Sequence, residues 1–136
     1  MSFARALVLL SASLTSAAVA AQGAQMRPGL WEFSMSGIPM KQQVCITPDM
    51  VKDPTRLGQD AQMPDHDCKF SKPKVSGNTT SFTMSCTRPQ KMNTHTTLTS
   101  NGPDSFTMKQ DFDMEMEGQR HKGSTTMTYK RLGDCK

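Results

Sequence analysis

Methionine is the residue type in this chain whose abundance and spacing could do chemistry. The 136 residues include 12 methionines, and Met114 and Met116 are separated by a single residue. On a strand, these two thioethers share one face at a separation of about 7 Å. Thioethers are soft ligands that select Cu(I), a nearby imidazole can complete such a site, and Trp31 would cover the ion through a cation–π contact. The candidate ligands of this soft-metal site are Met114, Met116 and His121.

The same methionines also fit an apolar strand face. Between residues 106 and 116, every second residue is Phe, Met or Gln, and the intervening residues are mostly charged. Successive side chains of a strand point to opposite faces, so this alternation predicts one apolar face and one solvent-exposed face. Methionine is a flexible filler of such cores. This interpretation is favoured over the metal site.

Motifs typical of enzymes are absent from the sequence. It contains neither the Gly-x-Ser-x-Gly turn of serine hydrolases nor the His-Glu-x-x-His pattern of zinc proteases. Cysteines that are oxidised to disulfides supply no nucleophile. The sequence therefore predicts a non-enzymatic protein without a cofactor.

The cysteines form the second group of chemically active residues: Cys45, Cys68, Cys86 and Cys135. Their spacing contains no Cys-x-x-Cys zinc knuckle, and an even number in a small exported chain predicts two disulfides. One pairing joins Cys68 to Cys86 and Cys45 to Cys135. The other joins Cys45 to Cys68 and Cys86 to Cys135. Spacing alone leaves both open, and strand register slightly favours the first.

The first 21 residues are typical of a secretory signal peptide. Arg5 precedes an uncharged run that ends in small residues, and serine and threonine interrupt it too often for a membrane span. We predict a signal peptide at residues 1–21 and one disulfide-stapled β domain at residues 22–136, periplasmic or secreted, with no transmembrane segment. Loss of Arg5 leaves 15 basic and 12 acidic residues. The basic residues are scattered without interleaved aromatics, so no nucleic-acid partner is expected.

Alternating apolar and polar residues between turn sequences predict an all-β domain. About seven strands are expected in an antiparallel meander that forms a curled sheet, a half-barrel or a small barrel, near residues 30–36, 40–46, 67–75, 79–87, 92–100, 104–116 and 121–131. After the second strand, Thr47 as N-cap and Pro48 as first helical residue predict one short helical turn. An irregular loop is expected from there to residue 65.

The hairpin around residues 76–78 carries a prediction of register. Opposed residues of an antiparallel pair point to the same face. A three-residue turn with Val75 opposite Thr79 places Cys68 opposite Cys86. A two-residue Gly77-Asn78 turn would instead place Cys68 opposite Thr87 and bury the wrong side chains.

A curled sheet with an apolar concave face can cover its own core or admit a small apolar ligand. The residues expected to line that face are Trp31, Phe33, Phe82, Phe106, Phe112 and Tyr129. The leading hypothesis is an exported, non-enzymatic envelope binding or accessory protein, whose partner is a small apolar ligand or an envelope protein. The alternative is a periplasmic Cu(I)-binding protein that uses Met thioethers and His.

Four segments together resemble a known family: MRPGLWE at residues 26–32, VCITP at 44–48, DCK at 67–69 and RLGDC at 131–135. The chain resembles the bacterial exported domain-of-unknown-function family numbered three-six-one-seven over essentially all of its predicted mature part. The resemblance implies a small, β-rich, exported bacterial protein. It implies no activity, so no functional residue is carried over.

Overall fold

A computed structural model describes residues 23–59 and 66–136. The predicted signal peptide therefore lies outside the described residues. The elements within them, in chain order, are β1 (Gly29–Met35), β2 (Lys41–Ile46), α1 (Pro48–Lys52), α2 (Arg56–Gln59), β3 (Asp67–Phe70), β4 (Lys74–Ser76), β5 (Thr79–Arg88), β6 (Met92–Ser100), β7 (Ser105–Met116) and β8 (Gln119–Gly133).

All eight strands belong to one antiparallel sheet, which confirms the predicted fold class. The order is β2-β1-β8-β7-β6-β5-β3, and β4 also pairs with β5. Strands β5 to β8 form the predicted meander, but β1 pairs with the last strand, β8, as well as with β2. Within the described residues β2 and β3 do not pair with each other. The sheet is therefore open and is not closed into a barrel.

The predicted strand at residues 67–75 is divided into β3 and β4 by a break at residues 71–73. Proline at position 73 has no N–H group to donate to a strand ladder. Before the break, Cys68 lies opposite Cys86, as predicted. After the break, Val75 lies opposite Thr80 rather than Thr79, and the turn has two residues rather than three. The break absorbs the one-residue shift, so the inward face stays the same on both sides.

The first helix begins as predicted. Thr47 is the N-cap, and its hydroxyl accepts a hydrogen bond from the Met50 backbone N–H at 3.3 Å. The loop expected next instead contains α2. The Asp53 carboxylate accepts a hydrogen bond from the Thr55 N–H at 3.2 Å, and the Asp53 carbonyl accepts one from the Arg56 N–H at 3.1 Å. This Asp-Pro-Thr turn starts a second helix.

One end of the concave face is solidly filled. Trp31, Ile46, Leu98 and Phe106 have no solvent-exposed surface there. Met26 is buried against them. The Trp31 indole N–H donates to the Arg27 carbonyl at 3.0 Å, which satisfies its one polar group. We call this region the closed end.

The segment before β1 covers the closed end. The Gly23 N–H donates to the Gly77 carbonyl at 2.9 Å, and the Ala24 N–H donates to the Thr80 hydroxyl at 3.0 Å. Further along, the Pro28 carbonyl accepts from the Arg131 guanidinium at 2.9 Å. Because these partners lie on the β4–β5 hairpin and on β8, residues 23–28 cross the sheet and bring β1 beside β8.

The structure contains the first of the two disulfide pairings. Cys68 is bonded to Cys86 between β3 and β5, and Cys45 is bonded to Cys135 between β2 and the C-terminal residues. None of the described cysteines is free.

The convex face is polar and charged. Asp113 on β7 accepts three hydrogen bonds from the Arg120 guanidinium, and Lys122 lies 3.9 Å from its carboxylate. The hydrogen bonds from Arg120 lower the pKa of the Asp113 carboxyl. This is the solvated charged face that the alternation predicts.

Candidate ligand cavity

A cavity of about 610 Å³ lies on the concave face beside the closed end. Val44 of β2 and Phe70 of β3, which belong to the two opposite edges of the sheet, both line it. The sheet must therefore curl to bring its edges around one space. The other lining residues are Phe33, Met35, Gln42, Cys45, Met50, Leu57, Phe82, Met84, Thr94, Thr96, Met108, Gln110, Met127 and Tyr129.

The two helices form part of the cavity wall. Met50 of α1 and Leu57 of α2 line the cavity, and both are partly buried against the apolar core. Each helix is too short to be stable by itself. Packing of these apolar side chains against the sheet and the caps at Thr47 and Asp53 hold the segment in place.

Half of the predicted ligand-binding residues lie in the cavity wall. Phe33, Phe82 and Tyr129 line it, whereas Trp31 and Phe106 are fully buried in the closed end and are not among the lining residues. Neighbouring rings connect the two regions. The Phe33 and Tyr129 centroids are 5.3 Å apart, those of Tyr129 and Phe106 4.3 Å, and those of Phe106 and Trp31 5.1 Å.

The sixth predicted residue, Phe112, lies outside the cavity wall. It is directly opposite Gly123 on β8, and a Cβ atom added at Gly123 would lie 2.3 Å from Cζ of the Phe112 ring. The ring therefore covers the backbone of β8 where no side chain competes for the space. Its position explains why a glycine occurs within β8.

Methionines are not among the residues predicted to bind an apolar ligand, but five line the cavity: Met35, Met50, Met84, Met108 and Met127. Four of them lie two residues from a predicted aromatic residue on the same strand. This spacing places them on the same strand face, so it was the signal that could have identified them.

The cavity lining contains hydroxyl, amide and phenol groups but, among the described residues, no charged side chain. Thr94, Thr96, Gln42 and Gln110 contribute the hydroxyl and amide groups. The Tyr129 hydroxyl lies 3.9 Å from the Met127 sulfur, and burial raises the pKa of Tyr129 to about 12. The phenol is therefore neutral at physiological pH.

The predicted soft-metal ligands lie away from the cavity wall. Met114 lies directly opposite His121 on β8, and the structure adds Met92 on β6, directly opposite Met114 on the other side. Met116 is one alternate position further along β7 and is 45% exposed. Residue spacing along a single strand does not indicate Met92, because only the pairing of β6 with β7 brings Met92 beside Met114. We call Met92, Met114 and His121 the methionine row.

Trp31 cannot cover these metal-ligand candidates. It pairs with Arg131, ten positions along β8 from His121, which is about 33 Å along a strand. Its ring is buried in the closed end. Among the described residues, moreover, no group of three or more His, Cys, Asp and Glu side chains is placed to hold a metal ion.

Comparison with known proteins identifies a family but no individual relative. Residues 26–135 match the family described as Protein of unknown function (DUF3617). Neither the curated proteins nor the solved structures include a match to the chain. Within the described part of the chain, no helix has the length and apolar character that crossing a bilayer requires. The match covers all the strands and both disulfides, and the chain belongs to this family of unknown function.

Proposed function

We propose that this protein is an exported, non-enzymatic envelope protein that binds a small apolar molecule in the concave cavity. The observation that carries the proposal is a space of about 610 Å³ with mostly apolar walls. Sites for small molecules typically have volumes of roughly 300–1,000 Å³ and similar walls.

Packing considerations support a binding role for this space. Protein interiors are close-packed and contain few voids larger than a water molecule. The closed end meets that standard, since Trp31, Leu98 and Phe106 leave no exposed surface. The same curved strands form the neighbouring cavity. Sheet curvature alone therefore does not explain why one end is filled and the other contains a cavity. Its five methionines form a wall that can adapt to the shape of a ligand.

Export is supported by the disulfides. Two bridges join Cys45 to Cys135 and Cys68 to Cys86, and such bonds persist mainly in oxidising compartments. The predicted signal peptide at residues 1–21 agrees with this location, and we place the protein in the bacterial periplasm. Hydroxyl, amide and thioether groups in the wall favour binding over acid–base catalysis.

Titration with the fluorescent probe N-phenyl-1-naphthylamine tests the proposal. We expect saturable binding of one probe per chain by the native protein. Met84→Trp puts a larger side chain into the cavity, whereas Thr83→Trp changes the adjacent residue, which is exposed on the opposite face of β5. Binding should weaken at least about tenfold in Met84→Trp and stay unchanged in Thr83→Trp. Absence of saturable binding, or equal binding by both variants, contradicts the proposal.

A second candidate function is Cu(I) binding, which the alignment of Met92, Met114 and His121 across three neighbouring strands favours. Directly opposed residues have Cβ atoms about 4.5–5.5 Å apart, so two thioethers and an imidazole can converge on one soft cation.

Anaerobic competition with the Cu(I) chelator bicinchoninate tests this second candidate. The native protein should withdraw one Cu(I) from the chelator. A double variant, Met92→Leu with Met114→Leu, should lose this ability. Met40→Leu is the matched control, since Met40 is 60% exposed and lies outside the methionine row. Withdrawal of Cu(I) by the double variant at the native level rejects the site.

A further inference from the structure

Two threonines interrupt the apolar wall of the cavity. Thr94 and Thr96 lie on β6, are 7% and 2% exposed, and line the cavity. Their neighbours include Met84 and Phe82 on β5, directly opposite them. Valine has nearly the same shape and a similar preference for strands. Packing alone would therefore be served by valine at both positions.

The hydroxyl groups of these two threonines have no hydrogen-bond partner among the described residues. The other buried hydroxyl side chains in this part of the chain are partnered. Thr55 donates to Asp53 at 2.6 Å, Thr80 accepts from the Ala24 N–H, and Ser100 donates to the Gly102 carbonyl at 3.1 Å.

Both threonines line the cavity, and their unpartnered hydroxyls retain accessible surface. In the described residues, every side-chain nitrogen or oxygen without solvent-accessible surface has a hydrogen-bond partner. Because the Thr94 and Thr96 oxygens have no partner, they must retain some accessible surface. Gln110 lies directly opposite Thr96 on β7 and lines the same cavity. Three hydrogen-bonding side chains thus form a polar spot within an apolar wall.

The cavity also discriminates by charge. No charged side chain of the described residues lines it. Transfer of a carboxylate or phosphate from water into such a space is strongly unfavourable without a paired charge. A neutral hydroxyl or carbonyl group has a much smaller desolvation cost, which the Thr94 and Thr96 hydroxyls offset by hydrogen bonding.

We infer that the ligand class is a neutral single-chain lipid whose hydroxyl or carbonyl group binds Thr94, Thr96 and Gln110 while its chain fills the methionine-lined space. This inference rests on the proposed apolar-ligand function. A pure hydrocarbon leaves the polar spot unpaired, and a fatty-acid anion leaves its own charge unpaired.

The experiment compares 1-decanol, 1-chlorodecane and decanoate as competitors of bound N-phenyl-1-naphthylamine. The variant is Thr94→Val with Thr96→Val, which removes both hydroxyls and preserves side-chain shape. Thr97→Val with Thr99→Val is the matched control, because these residues lie on the opposite face of the same strand. The apparent affinity of each competitor is compared between protein variants, so differences in solubility among the competitors do not affect the comparison.

We expect the cavity variant to bind 1-decanol about five- to tenfold more weakly than the native protein, with binding of 1-chlorodecane unchanged or tighter. Decanoate should be the weakest competitor for both proteins, and the control variant should behave like the native protein. Thr94→Ser with Thr96→Ser keeps a hydroxyl at both positions and should keep the preference for 1-decanol. Circular dichroism checks that each variant is folded.

The outcomes separate this inference from the function on which it rests. If the probe binds but 1-decanol and 1-chlorodecane respond equally to loss of the hydroxyls, the neutral-lipid inference is wrong and the apolar site stands. If decanoate competes best, the charge argument is wrong and so is the inference. If the native protein does not bind the probe, the proposed function fails and the inference fails with it.

Discussion

The two ends of the concave face are built from the same strands but are filled differently. At the closed end, Trp31 of β1 and Phe106 of β7 are fully buried. At the cavity end, alternate positions further along these strands carry Met35 and Gln110, which border empty space. Strand pairing and curvature continue from one end to the other. The difference therefore lies in the side chains and in what covers them.

The covering segments differ in the same way. Residues 23–28 cross the closed end and add Met26 to its core, held by the Gly23 N–H bond to the β4–β5 hairpin at one side and the Arg131 guanidinium bond to the Pro28 carbonyl at the other. The cavity end has two short helices, from which Met50 and Leu57 reach the wall. Rigid aromatic rings covered by the hydrogen-bonded residues 23–28 produce a packed core. Flexible side chains covered only by two short helices leave a cavity.

The two disulfides provide the largest expected effect. The bridge between β2 and the C-terminal residues spans a sequence separation of 90 residues, and the bridge between β3 and β5 spans 18. Loop-closure entropy gives contributions of about 4.6 and about 3.2 kcal/mol to the free energy of unfolding, respectively. Denaturation of Cys45→Ser with Cys135→Ser, and of Cys68→Ser with Cys86→Ser, measures the two values. Greater loss from the shorter bridge contradicts the entropic ranking.

Trp31→Ala tests the packing of the closed end. Removal of a fully buried aromatic side chain leaves a cavity that a close-packed surround cannot fill, so the free energy of unfolding should fall by about 3–5 kcal/mol. Because Trp31 is the only tryptophan, urea denaturation should be followed by circular dichroism. A loss below about 1 kcal/mol means that this end is not close-packed.

Tyr129 lies between the two ends and reports burial through its titration. Burial raises its pKa from 10.0 to about 12. Between these two pH values the unfolded chain binds fewer protons at Tyr129 than the native protein does. The free energy of unfolding is therefore undiminished by this group below pH 10 and falls as the pH rises toward 12. The shift corresponds to roughly 2–3 kcal/mol. Tyr129 is the only tyrosine, so phenolate absorbance measures it directly. Native ionisation near pH 10 would show that the ring is open to solvent.

Gly123→Ala tests the region beyond the cavity, where Phe112 covers β8. The added methyl group meets the Phe112 ring at 2.3 Å, and displacement of the ring should cost about 1–3 kcal/mol of unfolding free energy. In a Phe112→Ala background the ring is gone, so the same substitution should cost much less. Equal costs in both backgrounds place the strain somewhere other than the ring.

Local sequence signals predicted most of the elements. The alternation at residues 106–116 depends only on strand geometry, and the cap at Thr47 depends only on the first turn of a helix, so both could be found without tertiary information. The register prediction treats residues 67–75 as one continuous strand, so it does not include the break at residues 71–73. Turn length and strand continuity compensate for each other, and only the three-dimensional structure determines both.

The cavity depends on contacts between residues that are distant in the sequence. Alternation correctly placed Phe33, Phe82 and Tyr129 on the inward face, but it cannot distinguish an inward residue at a filled end from one beside a cavity. That distinction depends on residues 23–28 covering one end and the helices covering the other. The pairing of β1 with β8, which brings these regions together, likewise has no local signature.

Met35→Ala gives the smallest expected effect and the sharpest test of the comparison. Met35 is only partly buried and already borders the cavity, so its truncation removes few contacts and creates little additional empty space. The cost in unfolding free energy should be about 1 kcal/mol or less, well below that of Trp31→Ala. The same denaturation measurement compares the two variants directly. A cost for Met35→Ala near that of Trp31→Ala would mean that this region is packed like the closed end, and the cavity would then be too small to hold a ligand.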